Sequence, residues 1–284
     1  MIKLHFFSRV GLLLLLITLL SSCAPIEAVL DAEEQLTIGL KLAEEGSYDL
    51  AIEAYSKGIE SFPLFPLAYV NRGNAYDEIG NTTAAIADYD KAIDLDPNLA
   101  FAYHNRGVTY TTIGDYDQAH LDISKAIELD PEYVQAFYSR GTNYLEVDDL
   151  ASAIEDFSQA LNLDLEHYPS LYNRGLAYLN SSRFENAITD FSQYLNAITS
   201  NPLAYYYRGQ SYAYVNELSN SLIDLSAFID IDDSNSTAYL FRGAVYYEMG
   251  KLELAKSDIL VALDLGGLEE GQIIAANQIL EEMK

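Results

Sequence analysis

Apolar and small residues recur along this chain at helical spacing, in pairs of segments separated by short polar breaks. Around Tyr69–Tyr76, the positions Tyr69, Arg72/Gly73 and Tyr76 fall at i, i+3/i+4 and i+7, one face of a helix. Ile79-Gly80-Asn81 interrupts that face, since a glycine just past the last periodic residue is a common helix stop. Ala85, Ile86, Tyr89, Ala92 and Ile93 then mark the apolar face of a second helix. Asp96-Pro97 closes it, because proline cannot continue a helix and restricts the residue before it. Phe62-Pro63 and Asp130-Pro131 repeat this break, while later copies lack the proline and have less sharply specified turns. Pro169 and Pro202 instead fall where proline suits the first turn of the next helix.

The helix pair is one copy of a repeat. Arg-Gly occurs at Arg72-Gly73, Arg106-Gly107, Arg140-Gly141, Arg174-Gly175, Arg208-Gly209 and Arg242-Gly243, each 34 residues after the last. Ile38-Gly39 is an earlier copy without the arginine. Aligned on the glycine, seven repeats run from Ala32–Phe65 to Ser236–Glu269. A strict period of this length predicts an all-α stack of helix pairs, each burying its neighbour's apolar face. Twelve residues after each glycine stands a small residue: Ala51, Ala85, Ala119, Ala153, Ala187, Ser221 or Ala255. Facing small residues let two helix backbones approach closely. That explains a glycine kept inside a helix at a cost of about 1 kcal/mol relative to alanine.

The glycine, the tyrosine three residues after it, the alanine, the Tyr/Phe four further on and the proline resemble the tetratricopeptide repeat family from Ala32 to about Glu269. The resemblance implies a right-handed α-solenoid of seven tetratricopeptide helix pairs over residues 32–269, with residues 270–284 as a capping helix. In that helix Ile273, Ala276, Asn277 and Leu280 are expected to face inward. Leu42, Ser221, Ile123, Leu225 and Ile259 depart from the signature. Tyr194 and Phe228 fill small-residue places, so looser packing is expected in repeats five and six.

Before the repeats, Lys3 and Arg9 precede an apolar run ending at Leu20, too short to span a bilayer comfortably. This reads as a secretory signal over residues 1–22. Leu20-Ser21-Ser22-Cys23 resembles the lipobox of bacterial lipoproteins, which implies cleavage before Cys23 and a lipidated mature N-terminus there. Residues 23–31 are then anchor and short tether. The resemblance implies an extracytoplasmic chain lipid-anchored to the bacterial membrane, on the periplasmic face of the outer membrane where there are two. The alternative is an uncleaved anchor with an incidental cysteine.

Charge narrows the partners. The chain has 16 basic and 43 acidic residues, formally -27, and -29 once Lys3 and Arg9 are removed. Such a chain is repelled by phosphate backbones and anionic lipid headgroups, which argues against nucleic-acid binding. The acidity itself is read as a solubility device rather than a recognition surface. A single cysteine excludes an intrachain disulfide and a multi-Cys metal site. The histidines show no metal spacing, and neither a phosphate loop nor a nucleophile motif occurs, so no catalytic residue, cofactor or metal is expected.

The arginine ladder looks like a carboxylate site until a second regularity is seen. Asp88, Asp122, Asp156, Asp190, Asp224 and Asp258 each stand sixteen residues after an arginine. The first repeat, with Ile38 in the arginine place, has Ala54 in the aspartate place. Residues that appear and vanish together predict an ion pair joining the two helices of a repeat.

That leaves the less regular positions for function. In the tetratricopeptide family the outward face of each first helix lines a concave groove that binds extended peptides. Here that implies Asn71, Asn74, His104, Asn105, Tyr138, Tyr172, Asn173, Tyr206 and Gln210 as contacts. An amide side chain both donates and accepts, so it can pair with a peptide backbone of any sequence. Tyr172, Tyr206 and Tyr207 fit either ligand contact or packing between first helices. The reading is a membrane-anchored scaffold of the bacterial cell envelope that binds a partner protein or extended peptide. An adaptor for a cell-wall or glycan enzyme complex is the second class, and an enzyme the third.

Overall fold

Each apolar stripe forms a helix and each break a turn in the computed structural model, which describes residues 25–283. Among the described residues there are fifteen helices and no strand. They are α1 (Ile26–Glu44), α2 (Tyr48–Ser61), α3 (Pro66–Glu78), α4 (Thr82–Leu95), α5 (Ala100–Thr112) and α6 (Tyr116–Leu129) in a first body, residues up to 131. A second body, from residue 132, holds α7 (Val134–Glu146), α8 (Leu150–Leu163), α9 (Tyr168–Asn180), α10 (Phe184–Ala197), α11 (Pro202–Tyr214), α12 (Leu218–Ile231), α13 (Ser236–Glu248), α14 (Leu252–Leu265) and α15 (Glu270–Glu282). Within each body every helix packs on its chain neighbours, and each first helix also touches the next first helix. This is the all-α stacking of helix pairs expected from the period, and it fits the tetratricopeptide resemblance of the signature residues. The signal sequence and Cys23 lie outside the described residues.

The first helix starts earlier than the repeat frame requires. Residues 26–31, read as tether, are the opening turns of α1. Val29 and Ala32, one helical turn apart, are buried against Phe62, Phe65 and Ala68, and that contact extends the helix.

Close approach of paired helices is visible at the glycines. A Cβ added at Gly73 would lie 2.7 Å from the Tyr89 ring, and at Gly141 the same distance from Phe157. The clearance widens to 2.9 Å at Gly175 and 3.1 Å at Gly209, in repeats five and six. There Tyr194 and Phe228 are buried where other repeats carry small side chains. The looser packing anticipated in these two repeats is therefore a matter of a few tenths of an ångström.

The turns use two chemistries. Gly80 ends α3 at φ 76°, with its N–H bonded to Asp77 O and the Asn81 N–H to Tyr76 O. Asp148, Ser182 and Asn216 take that left-handed position in repeats four to six. The helices after Gly80, Gly114 and Asp148 are capped by a side chain, as Asn81, Asp115 and Asp149 accept from the N–H groups of Ala84, Gln118 and Ser152.

Ser221 stands in the alanine place of repeat six, fully buried, with a hydroxyl that makes no hydrogen bond. Burying an unsatisfied hydroxyl costs more than the oxygen returns, so Ser221→Ala is expected to stabilise the second body by about 1 kcal/mol. A raised denaturant midpoint checks this, and an unchanged or lowered midpoint would show that the hydroxyl has a partner.

At the C-terminus, Gly266 at φ 73° ends α14 and a Glu269/Gln272 capping box starts α15. The buried face of α15 is Ala276 with half-buried Gln272, Ile279, Leu280 and Met283, while Ile273 and Asn277 are exposed. The inward face expected from hydrophobicity alone is thus rotated. The reason is that Ala276 supplies the close approach and Ile279, one turn on, fills the space beside it.

Candidate functional site

All six arginine–aspartate pairs form. The guanidinium of Arg72 donates from Nε and Nη2 to the two carboxylate oxygens of Asp88, both at 2.8 Å, and the other five pairs share this bidentate geometry. Each aspartate is buried. For the five arginines named next, the remaining nitrogen reaches back to the second helix of the preceding repeat. Arg72 donates to Ser56, Arg106 to Asp90, Arg174 to Ser158, Arg208 to Ser192 and Arg242 to Ser226. Aromatic rings flank the cation, as Tyr239 and Tyr246 flank Arg242 at 5.5 and 5.9 Å. With carboxylate, hydroxyl and ring partners engaged, these arginines are fasteners rather than a docking site for an acidic ligand.

The acceptor for the third nitrogen went unread in the sequence, although its signal is there. It sits sixteen residues before each of these five arginines, and the last repeat has Leu260 at that place.

The groove candidates fall into two groups, one per body. In the first, Asn71 is half-buried and donates to Leu67 O of its own helix. Asn74 is more deeply engaged than an outward-looking amide. Its Oδ1 accepts from the Tyr89 hydroxyl and from Asn105 Nδ2, both at 2.8 Å. The single Tyr89 proton is shared with Asp77, 2.9 Å away, which accepts from Thr109 as well. Burial raises the Asp77 pKa against the pull of these two donors. His104 Nδ1 sits 3.2 Å from Asn105 Oδ1, so His104, Asn105 and Asn74 form one lateral chain across α3 and α5.

In the second body Asn173 Nδ2 donates to the Tyr138 hydroxyl at 3.3 Å, joining α7 to α9. The Tyr138 ring packs on Phe157 and His167. Tyr172 lies against Phe191, Tyr194 and Tyr207, and burial pushes its phenol up to about 12. Tyr206 belongs to the core. It is 9% exposed, packs on Phe228 and Tyr207, and has its phenol pushed to about 12, first by burial. Its packing role follows from Phe228, whose bulk in a small-residue place draws the ring inward. Gln210 is half-buried beside it.

One aromatic feature escaped the sequence reading. Tyr214 is 59% exposed and stacks on Phe184 at 4.5 Å, and Phe241 meets Tyr214 edge-on at 6.2 Å. Tyr214 stands where the other repeats carry Glu, Thr or Asn, which is the signal that could have marked it.

Among the described residues, no group of His, Cys, Asp and Glu could hold a metal ion, and no helix is long and apolar enough to cross a membrane.

Family models of the TPR repeat match residues 73–114, and models of the tetratricopeptide repeat match residues 100–133 and 138–202. No curated protein matches the chain in sequence. Among solved structures it is similar to YrrB, described as a TPR protein with an unusual peptide-binding site, at 26% identity and TM-score 0.59 over 66% of this chain and 96% of that one. MamA is 28% identical with TM-score 0.52, over 56% of this chain and 93% of that one. Pseudomonas aeruginosa PilF shares the fold at TM-score 0.67 and 15% identity, over 79% of this chain and 99% of that one.

Proposed function

Because the chain is built from tetratricopeptide repeats, a module that binds proteins and peptides, we propose that it is a non-catalytic scaffold that holds a partner in an extended conformation along its first helices. The observation that carries this is the half-used amides. Asn173 gives its Nδ2 to Tyr138 and keeps Oδ1 to accept a backbone N–H. Asn74 has its Oδ1 engaged by Asn105 Nδ2 and by the shared Tyr89 proton, and keeps Nδ2 for a backbone carbonyl. Within its own body, each free half matches one of the two groups that an extended peptide backbone presents. The peptide-binding site of YrrB supports the same use of the repeats here.

Anchoring belongs to the same proposal. The positive segment at Lys3 and Arg9, the apolar run and Leu20-Ser21-Ser22-Cys23 support a lipid-bound chain at the bacterial envelope, with Cys23 as the attachment point. Two or more acyl chains give durable anchoring, as each buried methylene contributes about 0.8 kcal/mol.

One experiment reads both parts. The full chain, Cys23→Ser and Asn105→Ala/Asn173→Ala are expressed in the native cells, fractionated, and cross-linked to their neighbours. Cys23→Ser should leave the membrane fraction. The asparagine variant should stay there and lose its cross-linked partner, with helical content unchanged. Partner retention in that variant would move the site off the first-helix face.

A further inference from the structure

We propose that the end of this face in the second body, from Tyr214 to a cleft between α13 and α15, takes an uncharged extended segment and seats one of its aromatic or branched aliphatic side chains in the cleft. This rests on the groove reading above and specifies the chemistry of the occupant.

The cleft measures about 280 Å³, with Leu240, Phe241 and Ala244 on one wall and Gly271, Ala275 and Ile279 on the other. An apolar cavity of roughly 150 Å³ is enough for a benzene ring. The cleft therefore suits a single large side chain and is small for a whole ligand, since ligand pockets run from about 300 Å³ upward. It is continuous with the exposed aromatic run, because the Phe241 ring that walls it touches Tyr214, which in turn stacks on Phe184.

Charge selects the occupant. The chain has 43 acidic residues, yet α9 and α11 carry none, and α7 and α13 carry one each, at their last residues Glu146 and Glu248. The cations on these four helices are the ladder arginines, each closed by its own aspartate. At the ends of α15, Glu269 is used in the capping box and Glu282 accepts from the Tyr247 hydroxyl at 2.7 Å, with Glu270 and Glu281 exposed beside them. A charged segment of either sign would lose hydration along the four first helices and meet carboxylates only at helix ends. An uncharged one loses little and buries apolar surface.

Gly271 provides the test. It is helical and lines the cleft, and a Cβ there meets nothing within 4 Å, so a side chain added at this place starts in open space. A random-peptide phage library is selected on the immobilised full chain, and enriched peptides are synthesised and titrated. Expected are uncharged sequences with an aromatic or branched aliphatic residue, and an affinity that holds within about twofold in 1 M salt, where the Debye length is about 3 Å. Gly271→Phe should weaken them at least tenfold while Gly271→Ala does not, and both should unfold at the wild-type midpoint or above. Enrichment of Lys/Arg-rich or Asp/Glu-rich peptides that Asn173→Ala weakens would overturn the proposal and leave the groove reading standing. So would uncharged peptides that Asn173→Ala weakens and Gly271→Phe does not. Peptides indifferent to both variants, or none enriched, would overturn the groove reading with it.

Discussion

Arg174→Met is expected to cost the second body about 3–5 kcal/mol, the typical loss when one member of a buried ion pair is removed. The Asp190 carboxylate is 2% exposed and would lose both of its 2.7–2.8 Å guanidinium bonds at once. Most of the loss comes from stranding that charge, so Arg174→Met/Asp190→Leu should recover more than half of it. Urea titrations of the four-member cycle measure both the loss and its recovery. Hydrogen exchange should place the first opening at α9 and α10, because a repeat array loses stability locally. If Arg174→Met alone left the midpoint unchanged, the ladder would be decoration.

Gly141→Ala is expected to destabilise by about 2 kcal/mol, against the usual gain of about 1 kcal/mol for alanine over glycine in a helix. The new methyl group would sit 2.7, 2.9 and 3.1 Å from three atoms of the Phe157 ring, which is fully buried and cannot step aside. Gly209→Ala is the control. There the nearest atoms, of the Leu225 side chain and Asp224 Cβ, stand at 3.1–3.3 Å, so they need give by only a few tenths of an ångström. The propensity gain and the tighter contact should then nearly cancel. Denaturant midpoints of the two variants decide the matter, and equal losses at the two sites would show that the glycine serves something other than ring clearance.

The helix pairs, their breaks and the arginine–aspartate links were legible because each is a short-range rule repeated at fixed spacing. Gly73, Ala85 and Tyr89 announce one contact three times over. What the pattern could not place was direction at irregular positions. Tyr206 and Tyr207 are neighbours in sequence, yet Tyr206 is buried on Phe228 and Tyr207 lies between Phe191 and Tyr172. Which tyrosine turns inward depends on the volume across the helix pair, information carried by residues twenty places away. Asn74 was read as outward-looking because its helical position is outward. Its engagement depends on Asn105, one repeat on. Likewise the start of α1 at Ile26 is fixed by Phe62 and Phe65, far along the chain.

The bridging acceptors also bear on how such an array changes length. Ser158, Ser192 and Ser226 each belong to one repeat and serve the arginine of the next, so repeats five and six each hold half of two joints. Unequal recombination that copies or deletes 34 residues inside the array keeps each joint complete and strands no guanidinium. Leu260 ends that grammar. A copy appended after the last repeat would bring an arginine with no acceptor behind it, and growth of the array at its C-terminal edge would first need a leucine-to-serine change there.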